Sequence, residues 1–172
     1  LRKAGFQQRI VVLEGFTESE ELQNLLDYNL DVSLHSRHQL VILQQQIESK
    51  KLGVWVKIDT GMNRLGFPVD RVQSVYTQLR SLHCVGKISF MTHFANAENN
   101  QAVLSADSQY QQFCSAIQGL DGEISVANSA AVLHHKEMSA QWIRPGVMLY
   151  GASPSNSDAA VYGLRPAMTL QS

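Results

Sequence analysis

Three ionisable side chains each lie at or just after the end of a short apolar run. Lys57 is the last residue but one of such a run, Arg64 follows seven positions later, and His93 comes shortly after another run. A lysine in so apolar a segment is costly unless it is paired or neutralised, and a guanidinium can bind a carboxylate through two hydrogen bonds. An imidazole there can stack on an aromatic ligand or polarise it. The ordinary structural roles are a snorkelling lysine, a surface ion pair and a half-buried histidine.

A second group combines small residues with an arginine. Asn128 and Ser129 directly follow an apolar run and could open a short helix whose free N–H groups face an anion, although Asn128 alone is an ordinary N-cap. Arg144 is followed by Pro-Gly, and Gly146 would let a ligand come close to the backbone. His134 and His135 have no partners at a metal-ligand spacing, so no metal site is predicted.

Six apolar runs alternate with segments of helical periodicity, and these elements must position the polar residues. The predicted strands are residues 10–13, 32–34, 54–58, 88–91, 124–126 and 147–150. The helix after the second strand is expected to turn Leu40, Leu43 and Ile47 inward. Strands that are apolar throughout, each followed by a helix, predict an α/β fold with parallel pairing.

Two parallel architectures compete, the open doubly wound sheet and the closed (β/α)8 TIM-type barrel. The sequence contains neither of the glycine-rich phosphate-binding signatures of nucleotide-binding open sheets. Polar residues instead recur at the ends of successive strands, which is the barrel pattern. Six strands cannot close an eight-stranded barrel, so we expect residues 1–172 to form one partial barrel domain cut from a longer protein.

The composition excludes several classes of function. The 172 residues carry 14 basic and 15 acidic side chains, a net charge of −1, which gives no electrostatic footprint for nucleic acid or an anionic membrane surface. No apolar run is long enough to span a bilayer and no leader peptide is evident, which predicts a cytoplasmic protein. Cys84 and Cys114 are expected to be two buried free thiols.

Four longer strings carry a family resemblance. Residues 57–66 read KIDTGMNRLG, residues 92–95 THFA, residues 127–131 ANSAA and residues 144–151 RPGVMLYG. Together they resemble the middle of bacterial alanine racemases, and the resemblance covers nearly the whole chain in register. It implies a homodimeric enzyme that uses pyridoxal phosphate on an eight-stranded barrel followed by a β domain. The six strands would then be the third to the eighth of that barrel.

The resemblance also implies roles for individual residues. Lys57 matches a lysine that is carbamylated in many members, and Arg64 matches the arginine that contacts the cofactor's phenolic oxygen and the substrate carboxylate. His93 matches a histidine beside the pyridine ring. Arg144 matches the arginine that donates to the pyridine nitrogen, which should leave that nitrogen unprotonated and suppress transamination.

The phosphate group of the cofactor has its own matching residues. Ser129 and the backbone N–H groups of Gly146 and Val147 match the phosphate cradle, and Asn128 lies beside them as a further cofactor-binding residue. By the same resemblance, the lysine that holds the cofactor covalently belongs to a motif that does not occur in these 172 residues, and the second base is a tyrosine of the partner's β domain. No catalytic base is therefore assigned, and the fragment is expected to be inactive by itself.

The implied reaction is interconversion of L- and D-alanine, which supplies D-alanine for peptidoglycan precursors. Two alternatives stay open at this point. One is an amino-acid racemase of broader specificity on the same fold, since the resemblance leaves most of the substrate side-chain pocket outside this piece. The other is a non-catalytic barrel module that binds pyridoxal phosphate, against which the string at 57–66 argues.

Overall fold

The computed structural model describes residues 1–47, 50–99, 102–138 and 140–167. Strands and helices alternate along them, as the sequence predicts. The elements are β1 (Val11–Val12), α1 (Ser19–Asp27), β2 (Asp31–Leu34), α2 (Arg37–Gln44), β3 (Leu52–Asp59), β4 (Phe67–Pro68), α3 (Val72–Ser81), β5 (Val85–Met91), α4 (Ala106–Ala116), β6 (Ile124–Asn128), α5 (Ser129–His134) and β7 (Trp142–Arg144).

The strands form a single parallel sheet in the order β1-β2-β3-β5-β6-β7, with the two-residue β4 beside the end of β3. Each crossover between neighbours on the main path contains a helix, which is how parallel strands are joined. The carboxyl ends of the strands therefore lie at one edge of the sheet. This arrangement confirms the predicted α/β class and is that of an incomplete barrel.

The core forms where apolar strands meet the inner faces of the helices. Val54 and Val56 of β3 are fully buried, as are Val72 and Leu79 of α3. The spacing of the two α3 residues places them on one face of that helix, which packs against the sheet. Within the described part of the chain, every helix is too short or too polar to cross a membrane.

Three predictions from the sequence are wrong. Residues 147–150 form a single 3-10 turn rather than a strand, because Pro145 lacks a ladder donor and Gly151 closes the turn in the left-handed conformation at φ 82°. The last strand is instead β7. Ile47 lies beyond the end of α2 and is 97% exposed, and Cys114 is exposed on α4 whereas Cys84 is buried.

Candidate cofactor site at the carboxyl ends of the strands

The register of the parallel sheet brings the ends of four strands together. Lys57 of β3 is paired with Met91 of β5, and Met91 is paired with Ser125 of β6. Asn128 at the end of β6 is paired with Arg144 at the end of β7. Residues separated by most of the chain thus become neighbours at one edge of the sheet, as expected for a barrel site.

Arg144 is held in place by backbone and side-chain acceptors of the two strands next to it along the sheet. Its Nη1 donates to the Ser125 carbonyl at 2.8 Å and to the Ser125 hydroxyl, and its Nη2 donates to the Thr92 carbonyl. Burial lowers the pKa of the guanidinium to about 10, so the group remains a cation at neutral pH. The structure therefore provides a fixed positive charge beside Lys57 and His93.

Lys57 is a half-buried amine among other cations. Burial and the positive charges of Arg144 and Arg64 together lower its pKa to about 8, against a smaller opposing effect from Asp59. A lysine with this pKa has a substantial fraction of unprotonated amine near neutral pH, which makes it a nucleophile. The prediction that a lysine in this apolar strand is costly unless neutralised agrees with this environment.

His93 is half-buried two residues after the end of β5. Burial, together with the charges of Arg144, Lys57 and Arg64, lowers the pKa of the imidazole to about 4. At neutral pH the ring is uncharged. We call Lys57, Arg64 and Arg144 the cationic cluster; together with the neutral His93 it offers an anionic ring ligand both charge and a flat partner.

The pH dependence of stability should reveal the environment of His93. A histidine in the unfolded chain has a pKa near 6.5, whereas His93 in the folded chain has one of about 4. Between these values the unfolded state binds more protons, so the free energy of unfolding rises as pH increases from 4 to 6.5. Urea unfolding across that range should show a shallower slope of stability against pH for His93→Gln than for Gln112→Leu, an exposed substitution that removes no ionisable group. Equal slopes for both variants would contradict the placement of His93.

The loop that carries Arg64 is shaped by Asp59 and two glycines. The Asp59 Oδ1 accepts hydrogen bonds from the N–H of Gly61 at 2.9 Å and of Asn63 at 3.1 Å. Gly66 has φ 137° and lies so close to the start of the loop that a Cβ there would be 2.6 Å from the Asp59 nitrogen. The chain therefore turns back over the end of β3, with the exposed Arg64 at the turn.

Gln109, which the sequence analysis did not single out, connects the two loops that frame the site. This fully buried side chain of α4 donates to the Thr60 hydroxyl at 3.0 Å and accepts from the Ala95 N–H at 2.9 Å. Thr60 in turn contacts the Thr92 hydroxyl at 2.8 Å. The helical spacing could have predicted this burial, because Gln109 lies one turn before the buried Phe113 on the same face of α4. A buried amide then needs hydrogen-bond partners on neighbouring elements.

Removing this amide should loosen both loops. Gln109→Leu removes the acceptor of the Ala95 N–H and the donor to the Thr60 hydroxyl, and we expect the free energy of unfolding to fall by about 2–3 kcal/mol. Gln112→Leu, an exposed position on the same helix, should change it by less than about 0.5 kcal/mol. Urea unfolding of the two variants makes the comparison, and equal losses would argue against a buried clamp.

Asn128 and Ser129 join strand to helix beside the 146–147 turn. The Asn128 amide accepts from the Ala131 N–H at 3.0 Å and donates to the Phe94 carbonyl at 3.2 Å, so its N-cap role is observed. The buried Ser129 hydroxyl accepts from the Met148 N–H at 3.3 Å. Among the described residues, no acceptor receives the N–H groups of Gly146 and Val147. Two free donors next to a hydroxyl suit a phosphate group.

One set of potential metal ligands occurs among the described residues. Ligand atoms of Asp107, His135 and Glu137 lie within 4.8 Å of one another, with the two carboxylates exposed and the histidine buried. His135 Nε2 is 3.0 Å from the Ala97 carbonyl and Nδ1 is 3.5 Å from a Glu137 oxygen. The contacts with the Ala97 carbonyl and Glu137 orient His135 without an ion, and none of the three residues belongs to the cationic cluster.

The chain is similar in sequence to proteins of one family. The family model described as alanine racemase, N-terminal domain, matches residues 1–154. The chain is 44% identical over its full length to an alanine racemase of Janthinobacterium sp. (strain Marseille) and 45% identical to a catabolic alanine racemase of Klebsiella aerogenes, covering 48% of each.

Solved structures give the same result. A biosynthetic alanine racemase from Pseudomonas aeruginosa matches 96% of this chain with a TM-score of 0.90 at 34% identity, and 46% of that protein is covered. The alanine racemase from E. faecalis matches the same share with a TM-score of 0.84 at 28% identity. The chain thus spans about half the length of the relatives it matches. On the sequence match, the parallel sheet and the shared fold, the chain belongs to the alanine racemase family.

Proposed function

We propose that this chain is the cofactor-binding barrel part of a pyridoxal-phosphate-dependent alanine racemase, an isomerase that interconverts L- and D-alanine. The observation that carries the proposal is the combination of the cationic cluster with free N–H donors at the ends of neighbouring strands, in a chain of this family. Residues 1–172 would form one partial barrel domain of that enzyme.

The described residues fit the phosphate group of the cofactor. The Ser129 hydroxyl and the N–H groups of Gly146 and Val147 would hold it, since they form a set of donors at a turn between strand and helix. A Cβ at Gly146 would meet nothing within 4 Å, so the space above this backbone is open. Asn128 would keep Ser129 in position by capping α5.

The described residues also fit the ring of the cofactor. His93, uncharged at neutral pH, would lie against the ring, and the Arg144 guanidinium would donate to the pyridine nitrogen. A fixed cation there disfavours a proton on that nitrogen, which limits the electron withdrawal that leads to transamination. When bound, pyridoxal phosphate withdraws electrons from the α-carbon of an amino acid and makes its proton acidic.

Lys57 and Arg64 would serve the anionic groups of the ligands. Arg64 is exposed on its loop and free to bind a substrate carboxylate through two hydrogen bonds. The Lys57 amine, partly unprotonated near neutral pH, would attack carbon dioxide to form a C–N bond and release one proton to solvent, which gives a carbamate. The resulting anion would remove the repulsion that the amine now experiences from Arg64 and Arg144 and replace it with attraction.

The cellular setting and assembly belong to the same proposal. A supply of D-alanine for peptidoglycan precursors places the enzyme in the cytoplasm, and the free thiols of Cys84 and Cys114 suit a reducing compartment. The exposed Val147, Leu149 and Tyr150 next to the site form an apolar surface that a second copy would cover in a homodimer.

The test is a racemisation assay on the complete protein that contains this chain. With pyridoxal phosphate present, we expect conversion of L-alanine to D-alanine, with slower turnover of serine and lysine. Comparable rates on all three would support the broader racemase instead, and no turnover of any would support a binding module. The 172-residue chain alone should bind the cofactor without racemising alanine, and measurable conversion by it would contradict this.

A further inference from the structure

Arg9 lies just before β1, toward the amino-terminal ends of the strands and opposite the end that carries the cationic cluster, and contacts four other residues. Its Nε donates to an Asp31 oxygen at 2.5 Å and its Nη1 donates to Glu123. Its guanidinium carbon lies 5.4 Å from the centre of the Trp55 ring and 5.1 Å from that of Trp142. We call these five residues the Arg9 floor.

The Arg9 floor joins strands that the hydrogen-bonded sheet leaves apart. Among the described residues, the ladder runs from β1 to β7 without pairing these two strands to each other. Arg9 nevertheless connects the segment before β1 to Glu123, the residue before β6, and Glu123 also accepts from Lys87 of β5 at 2.7 Å. These ion pairs thus link the segment before β1 to β5 and β6 near the amino-terminal ends of the strands.

The two tryptophans connect this floor to the site. Their ring centres are 5.7 Å apart and the planes meet at 81°, a close edge-to-face contact between β3 and β7. Trp55 lies two residues before Lys57, and Trp142 lies two residues before Arg144. Because side chains two apart on a strand project from the same face, each tryptophan lies directly beneath a member of the cationic cluster.

An open pocket of about 230 Å³ is shared by the Arg9 floor and the site. Its lining includes Arg9, both tryptophans, Ser125 and Arg144. The pocket leaves open space next to Arg144. The strand that carries Arg144 is supported there by the packing of Trp142 against Trp55 and Arg9. The position of Arg144 relative to Lys57 therefore depends on the floor as well as on the hydrogen bonds of its own guanidinium.

We propose that Arg9 is a positioning residue for the cofactor site: by clamping Trp55 and Trp142 together, it sets the separation of Lys57 and Arg144 at the other end of the same strands. The relevance to the cofactor rests on the function proposed above. The effect of Arg9 on the geometry of the site does not depend on that function, and it can be measured without any ligand.

The experiment compares three variants with the unaltered chain. Arg9→Met keeps an unbranched, flexible stem but removes the charge and the hydrogen bonds. Arg9→Lys keeps the charge but not the planar guanidinium, and Lys50→Met removes an exposed ion pair with Asp27 as the matched control. The reporter of geometry is the pKa of His93, measured by proton NMR and assigned with His93→Gln. The charged groups that lower this pKa are Arg144, Lys57 and Arg64.

In Arg9→Met, the strands bearing these cations should separate, and the pKa of His93 should rise by about 1 unit toward its ordinary value. The dissociation constant for pyridoxal phosphate should increase about tenfold or more. Arg9→Lys should lie between Arg9→Met and the unaltered chain, and it keeps the test valid if Arg9→Met does not fold. Lys50→Met should change neither quantity.

A lower melting temperature with an unchanged pKa of His93, in Arg9→Met or in Arg9→Lys if only that variant folds, would overturn the proposal, because Arg9 would then stabilise the chain without positioning the site. Failure of the unaltered chain to bind pyridoxal phosphate would refute the proposed function instead. The shift of the His93 pKa would still decide the role of Arg9 in that case.

Discussion

Gly146→Leu is expected to weaken the binding of pyridoxal phosphate by about 100-fold or more while changing the free energy of unfolding by less than about 1 kcal/mol. A Cβ at this position meets nothing within 4 Å, and φ of −80° is open to other residues. The protein itself thus leaves room for the new side chain. A phosphate bound over Gly146 and Val147 would occupy the space that the leucine side chain needs.

Pyridoxal, which lacks the phosphate, provides the control for this variant. Pyridoxal should bind more weakly than pyridoxal phosphate, and its dissociation constant should be the same for the unaltered chain and for Gly146→Leu, since the ring contacts of His93 and Arg144 are unaffected. Calorimetric titration of both ligands into both proteins gives the comparison. Equal affinity of the two proteins for pyridoxal phosphate would mean that the phosphate binds elsewhere, and equal weakening for both ligands would mean that the substitution disturbs the whole site.

Arg144→Met is expected to lower the free energy of unfolding by about 3 kcal/mol and to raise the pKa values of Lys57 and His93. The carbonyls of Ser125 and Thr92 and the Ser125 hydroxyl would lose a charged donor. Burial, the largest cause of the low pKa values of Lys57 and His93, remains in this variant. The charge of Arg144, which is lost, is the largest contribution from a neighbouring cation in both cases.

Arg144→Lys separates the hydrogen bonds from the charge. An ammonium keeps the repulsion of Lys57 and His93 but cannot reach all three acceptors in the geometry of a planar guanidinium. Stability should fall while both pKa values stay low. Urea unfolding and NMR titration of the two variants test this, and a rise of the pKa of His93 in Arg144→Lys equal to that in Arg144→Met would contradict an electrostatic origin.

Sequence reasoning located the strand ends well because apolar β-branched runs and the polar residues that follow them are local signals. Lys57, His93 and Asn128 were each placed correctly at the end of a strand, since a buried parallel strand needs no partner to be recognised. The register that makes them neighbours follows from the parallel order of the sheet. The roles of these residues toward a cofactor stay predictions.

The errors arose where a local pattern has two readings. Residues 147–150 are apolar enough for a strand, but Pro145 ends the ladder and Gly151 favours a tight turn, so the strand moves back to Trp142–Arg144. Ile47 fits the helical spacing of Leu40 and Leu43, but α2 ends at Gln44. Short apolar runs next to Pro and Gly do not specify which side of the break forms the element.

The residues that sequence reasoning missed act over long separations. Arg9 pairs with Glu123, which is 114 positions away, and Gln109 meets Thr60 across 49 positions. Neither belongs to a motif, and each has a residue type that is common on surfaces. Their importance appears only when the sheet order brings the partners together, because burial converts an ordinary polar side chain into one that must be satisfied.

A crystal structure of the chain with pyridoxal phosphate would show where the phosphate and the ring bind. We expect the phosphate within about 2.7–3.2 Å of the Val147 nitrogen and the Ser129 hydroxyl. The ring should lie against His93, with its nitrogen facing Arg144. A phosphate bound away from the 146–147 turn, or a ring attached to a surface lysine with the strand ends empty, would contradict this expectation.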